Sequence, residues 1–206
     1  MVRGPKEKKE RALGERLQLK GERCNSPKCA AVRKPHRPGQ HGNKRQRRAL
    51  SEFGVQLKEK QKFKVVYGLG ERELRGVFKR ASQSSGSVSV QLMEILERRL
   101  DNVIYRLSFA LSRSFARQLV VHGHVLVNGA RARSPGILLY KGDVISFRKE
   151  SQTKVWFIKV KESLKDYEAP SWLSLDKEKM TGTLLAMPPI TEIPFNANLL
   201  VESFSK

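Results

Sequence analysis

The spacing of apolar positions changes character along the chain. Residues 1–50 are rich in Lys, Arg, Gly and Pro and show little periodicity, apart from LGERLQLKG (13–21), which reads as a short ordered piece. From Ser51 the pattern turns helical. Ser51 is placed to cap SEFGVQLKEKQKFKVVYG and Gly68 to stop it, and a second helix fits ERELRGVFKRAS (71–82). A loop, SQSSGS, covers 82–87. Leu92, Ile95, Leu96, Leu100, Val103, Ile104 and Leu107 then recur at steps of three and four, the buried face of one helix or of two in succession. Ser112 caps SRSFARQLVVHG, with Gly123 as its stop and Phe115, Ala116, Leu119 and Val120 on its inner side. Beyond Gly123 the period shortens to two. HVLVNGARAR reads as a hairpin turning at Asn128-Gly129, KGDVISFRKE as a strand, and WFIKVK as one more. WLSLD, TGTLLAMPP and NANLLVESFS follow. No internal repeat is visible.

Charge alters this picture most. The chain of 206 residues has a formal net charge of +21. Residues 1–64 hold 20 Lys/Arg against 6 Asp/Glu, residues 65–161 hold 17 against 7, and residues 162–206 hold 4 against 7. A folded chain this basic repels itself and needs an anionic partner; nucleic acid comes first, an anionic membrane surface second. The basic arm is expected to be extended and to order on its partner, whereas the acidic tail suits a protein neighbour. No apolar run approaches the ~18 residues of a membrane span. The first residues, MVRGPKEKKERALGER, have no apolar signal core.

Residues that carry chemistry are few. Arg113 and Arg117 lie four apart on one helical face, which gives either a phosphate-binding surface or a solvated basic face. Replacing both with alanine is expected to weaken RNA binding without unfolding. YGLGERELRG (67–76) lacks the third glycine and the preceding strand of a dinucleotide fingerprint. Two cysteines, Cys24 and Cys29, make no disulfide framework and are either reduced thiols or metal ligands.

The segments LERRLDNVIYRLSFALSRSFARQLVVHGHVLVNG and KGDVISFR resemble the small RNA-binding domain named after small-subunit ribosomal protein four. That domain also occurs in pseudouridine synthases, a tyrosyl-tRNA synthetase class and heat-shock RNA-binding proteins. The flanks RPGQHG (37–42), LSEFGVQLKEKQKFKVVYG (50–68), WLSLD and LLVESFSK resemble the bacterial-type ribosomal protein family itself, so the resemblance runs over nearly the whole chain in order. It implies an α+β fold: a basic extended arm (1–45), a helical domain (46–95 with 163–206), and an inserted RNA-binding domain of helices and a short antiparallel sheet (96–162). It implies a ribosomal component, not an enzyme, that binds a multi-helix junction in the 5′ part of small-subunit rRNA early in assembly. It further implies a place near the mRNA entry channel, contact with the fifth small-subunit protein and an influence on decoding accuracy, with no membrane partner. The setting is the cytoplasmic ribosome or an organellar one.

On that resemblance, RNA contact is expected from Gln40, His41 and Gly42 of the PGQHG turn, where Gly39 and Gly42 let the backbone approach closely. Lys44, Arg45, Arg47 and Arg48 extend the basic strip. Lys58/Lys62 and Lys60/Lys64 are i,i+4 pairs spaced for phosphates. Tyr67, Arg106, Arg113, Arg117, His122 and Asn128 complete the set. Two readings compete with the ribosomal one: a stand-alone RNA-binding factor and an RNA-modifying enzyme. RRLDN (98–102) resembles the sequence around a pseudouridine synthase's catalytic aspartate, but Asp101 lies within an apolar helical stripe and no catalytic domain accompanies it.

Some members of the family carry a zinc site made from an early CxxC and a later C-x₄-C. Cys24 and Cys29 keep the second pair; residues 5–16, PKEKKERALGER, contain no cysteine. His36 and His41 offer replacements, giving C-x₄-C-x₆-H-x₄-H, but His41 belongs to the PGQHG turn. A structural zinc takes four ligands. The expectation is a half-site remnant whose fold is held by RNA instead of metal, and no cofactor; a zinc bound by Cys24, Cys29, His36 and His41 is the alternative.

Overall fold

The computed structural model describes residues 4–43, 49–189 and 195–205. They form ten α-helices, one 3₁₀ turn and a five-stranded antiparallel sheet, which divide into two compact units, 1–93 with 192–206 and 94–191.

In the first unit, α1 (Lys6–Leu13) is followed by two single turns, α2 (Glu22–Asn25) and α3 (Ala30–Arg33). The described part of the N-terminal region is therefore folded, not an extended arm: α1 packs on α3 and on α4 (Glu52–Val66). The local pattern hid this because α1 buries two glutamates, Glu7 and Glu10, where an amphipathic helix normally buries apolar residues. Ser51 caps α4, its Oγ accepting the Gly54 N–H, and the helix ends at Tyr67 and Gly68, whose φ of 65° favours glycine. In α5 (Glu71–Gln83), the Glu73 carboxylate reaches back to the Gly70 N–H at 2.7 Å. The last helix, α10 (Ala197–Ser205), lies on α4 and α5. Phe195 meets Phe63 at 5.1 Å and Tyr67 at 6.2 Å, and Phe204 stacks on Phe78 at 4.8 Å.

The apolar stripe over 92–107 is broken into α6 (Val88–Glu97) and α7 (Leu100–Arg106) at an extended Arg99. The break is made from outside the stripe. Leu100 and Asp101 donate their N–H groups to the carbonyls of Ile137 and Pro135, and Leu139 donates to the Arg98 carbonyl. Ser112 caps α8 (Arg113–Val121), and Gly123, at φ 71°, ends it. The hairpin β1 (Val125–Val127) to β2 (Ala130–Arg131) turns through Asn128 and Gly129, both at positive φ, the type I′ geometry that Asn-Gly favours. Strand order in the sheet is β2-β1-β3-β5-β4, with β3 (Val144–Phe147), β4 (Leu173–Asp176) and β5 (Thr181–Leu184).

Two expectations change here. WFIKVK is not a strand but the body of α9 (Val155–Ser163), whose Phe157 and Val160, with Leu164 beyond it, face the core. Residues 164–189 belong with the sheet and not with the helical unit, because β5 pairs with β3 and joins β4 to the sheet. The core of this unit runs from Leu100 to Leu184. Each large apolar side chain buried there contributes about 1.5–3 kcal/mol.

Candidate nucleic-acid interface

The turn at 38–43 exposes Gln40 and His41. Its shape depends on Gly42, whose N–H donates to the Gly39 carbonyl at 3.1 Å. A Cβ on Gly42 would sit 1.8 Å from the Arg37 carbonyl oxygen, so no other residue fits. Glycine is required here by the chain itself, before any RNA approaches. Lys44, Arg45, Arg47 and Arg48 lie outside the described residues.

The four α4 lysines fall into two pairs, each closed on one distant carboxylate. Lys58 and Lys62 reach Glu15 at 3.0 and 2.8 Å; Lys60 and Lys64 reach Glu71 at 2.6 and 2.9 Å. Lys62 also bonds Glu59, and Lys60 lies over the Phe204 ring at 4.0 Å. Burial pulls the Lys62 ammonium down, and Glu15 and Glu59 more than reverse this, leaving it above the ordinary lysine value. Lys60 and Lys64 hold the Glu71 carboxyl below the usual carboxylate range; burial works against Lys62 and Lys58 at Glu15, which also ends below it. The helical spacing is as expected, but these charges are engaged within the protein. Tyr67, expected at the RNA surface, is 3% exposed and stacks on Phe63 in the core.

In the second unit, Arg106, Arg113 and Arg117 turn toward a buried polar network instead of projecting as a basic face. Glu97 Oε2 accepts from Arg106 Nε at 2.9 Å and from Asn102 Nδ2 at 2.8 Å, and Asn102 Oδ1 accepts from Arg113 Nε at 2.8 Å. Arg113 lies over the Tyr105 ring at 4.3 Å. Asp101 takes a two-pronged bond from Arg99, at 3.1 and 3.0 Å, and Arg117 approaches it at 3.5 Å. Asp101 and Glu97 are 5% and 2% exposed, so Arg99, Arg106 and Arg117 neutralise carboxylates that would be costly to bury alone. Asn128 is spent on the hairpin: Nδ2 donates to Asp143 and Oδ1 accepts the Val144 N–H.

His122 is exposed, and around it and His124 the cations gather. Arg131 donates to the carbonyls of Gly123 and His122 at 3.1 Å each. Burial, then the nearby His122, Lys154, Arg148 and Arg131, push the His124 imidazole below its usual value, so it is neutral at pH 7. Its Nδ1 lies 2.9 Å from Ser151 Oγ, and Trp156 packs beside it at 5.6 Å. Arg133 adds its charge beside Arg131, with Glu150 opposing. Sequence reasoning missed Arg131, Arg133, Arg148 and Lys154. The two arginines of ARAR, spaced by two on an extended segment, were the available signal.

Cys24 and Cys29 are buried free thiols, while His36 and His41 are exposed. Among the described residues no three His, Cys, Asp or Glu side chains gather to hold a metal.

Comparison with known proteins is decisive for the family. Residues 1–97 match the ribosomal protein S4/S9 N-terminal domain, and residues 98–145 match the S4 domain. Over 198 residues the chain is 46% identical to small ribosomal subunit protein uS4 of Syntrophomonas wolfei, covering 95% of this chain and 94% of the relative. The chain belongs to the uS4 family of small-subunit ribosomal proteins. With the same coverage, it is 45% identical to uS4 of Thermus thermophilus and 44% identical to uS4 of Caldicellulosiruptor saccharolyticus. No helix among the described residues is long and apolar enough to cross a membrane.

Proposed function

We propose that the protein is a structural, non-enzymatic constituent of the small ribosomal subunit that binds a multi-helix junction in the 5′ part of its rRNA early in assembly. The family supplies the ribosomal setting. The observation that carries the RNA face is the gathering of Arg131, Arg148 and Lys154 about His124, with Arg133 beside Arg131 and, among the described residues, only Glu150, paired to Arg148 at 2.9 Å, in opposition; the surplus positive charge is relieved by phosphate. Arginine forks suit phosphate oxygens, and a folded junction is recognised by shape and backbone more than by base edges. The exposed Gln40-His41 turn, followed in the sequence by Lys44, Arg45, Arg47 and Arg48, is suited to single-stranded RNA and supports a place beside the mRNA path. The tail supports a protein neighbour, the fifth small-subunit protein, through which the family resemblance would let it influence decoding accuracy. The site of action is the cytoplasmic ribosome or an organellar one.

The test is a salt series of binding to a 5′-domain rRNA fragment against random RNA of equal length. The junction fragment is expected to bind at least about a thousandfold more tightly at physiological salt, the lower end of the range by which specific nucleic-acid complexes exceed non-specific ones. Equal affinity for both RNAs would refute the assembly role.

A further inference from the structure

The family resemblance leaves residues 5–33 without the first half of a zinc site, yet the segment is folded. Cys24 and Cys29 are 4% and 1% exposed. Cys24 Sγ accepts the Lys20 N–H at 3.3 Å, and the Cys29 carbonyl accepts the N–H groups of Val32 and Arg33. In the stretch where the early cysteine pair would fall stand Glu7 and Glu10, separated by two residues as the cysteines of a CxxC are. Both are buried, at 8% and 1%. A buried carboxylate is costly unless its oxygens are bonded. These are: Glu10 Oε1 accepts the N–H groups of Leu17 and Leu19, both at 3.1 Å, and Glu7 Oε1 accepts Arg23 Nε at 2.6 Å, with Lys20 Nζ at 3.9 Å. The two side chains therefore tie α1 to the 17–19 loop and to α2, the connections a metal would make.

We infer that Glu7 and Glu10 take the place of the metal: bonded to backbone amides and to Arg23, they cross-link residues 5–33 around the two thiols, and this segment folds without zinc. Folding alone is at stake, independently of RNA binding.

The full-length protein would be measured for zinc by mass spectrometry, and for hydrogen exchange at the Leu17 and Leu19 amides before and after chelation. The expected result is well under one zinc per chain and unchanged protection. Glu10→Ala is expected to cut protection at those two amides by about tenfold or more, as loss of a buried charged acceptor should. One zinc per chain, protection lost on chelation, or Glu10→Ala without effect would each overturn the inference. Should Glu10→Ala fail to fold, chelation of the unaltered protein decides. Because amide exchange is read and not RNA affinity, failure of junction binding would leave this inference standing.

Discussion

Asp101 shows how a residue's role is set by partners that its local sequence does not name. It lies in an apolar stripe, and its charge is tolerated because Arg99 grips both oxygens and Arg117 approaches from α8. Asp101→Ala would take from the buried Arg99 guanidinium the carboxylate that it grips with two bonds. Chemical denaturation should show the sheet-bearing unit losing about 3 kcal/mol, the lower end for removing one partner of a buried ion pair. For the same reason, Arg113→Ala with Arg117→Ala is expected to lower stability as well as binding, contrary to the reading of α8 as a free basic face. Circular dichroism melting of the double variant checks this, and an unchanged melting temperature would restore α8 as a free basic face. At Gly42 the constraint is steric. Gly42→Ala places a methyl against the Arg37 carbonyl, so the 38–43 turn must open. Nuclear magnetic resonance shifts at Gln40 and His41 should move while those of the second unit stay fixed.

At the scale of elements, α4 is held by charge on both flanks. Lys58 and Lys62 close on Glu15, and Lys60 and Lys64 close on Glu71. Both carboxyls sit below their ordinary range in the folded protein, so they favour folding fully above the unfolded carboxylate value of about 4.3, and that contribution is lost as pH falls through their depressed values. Stability of the helical unit should therefore decline on acidification below about pH 4.3, and Glu15→Gln with Glu71→Gln should flatten that decline; urea midpoints at pH 6 and pH 3 measure it. The helical spacing of the lysines was readable from the sequence, because i,i+4 is a property of the helix alone. Their acceptors were not, since Glu15 and Glu71 come from outside α4. WFIKVK was misread for a related reason. A short apolar run suits a strand or a buried helix equally, and the core packing of Phe157 and Val160 decides for the helix.

For the molecule as a whole, the charge of +21 demands a polyanion, and the two units present it differently. In the first, the α4 lysines are largely consumed by carboxylates. In the second, Arg133 and Arg148 lie near Arg131, Lys154 joins Arg131 and Arg148 near His124, and among these cations Glu150 pairs only with Arg148, at 2.9 Å. Replacing both Arg131 and Arg133 with alanine should weaken binding to all RNAs and lower the slope of log affinity against log salt by about two, roughly one for each phosphate no longer neutralised. An unchanged slope would remove them from the interface.

The sequence alone determined the broad class: a basic α+β chain with a capped α4, a capped α8, an Asn-Gly hairpin and the spellings of a ribosomal family. Those features depend on neighbours within a few residues, where helix period, caps and turn chemistry act. Only the tertiary structure decided which cations are available. It bound the α4 lysines to Glu15 and Glu71, tied Arg106 and Arg113 to the Glu97–Asn102 network and set Arg117 beside Asp101, buried Tyr67, and left the cations about His124 crowded together. It also folded residues 5–33 around two carboxylates. Ion pairing and burial depend on distances between residues far apart in the chain, and those distances exist only once the chain has folded.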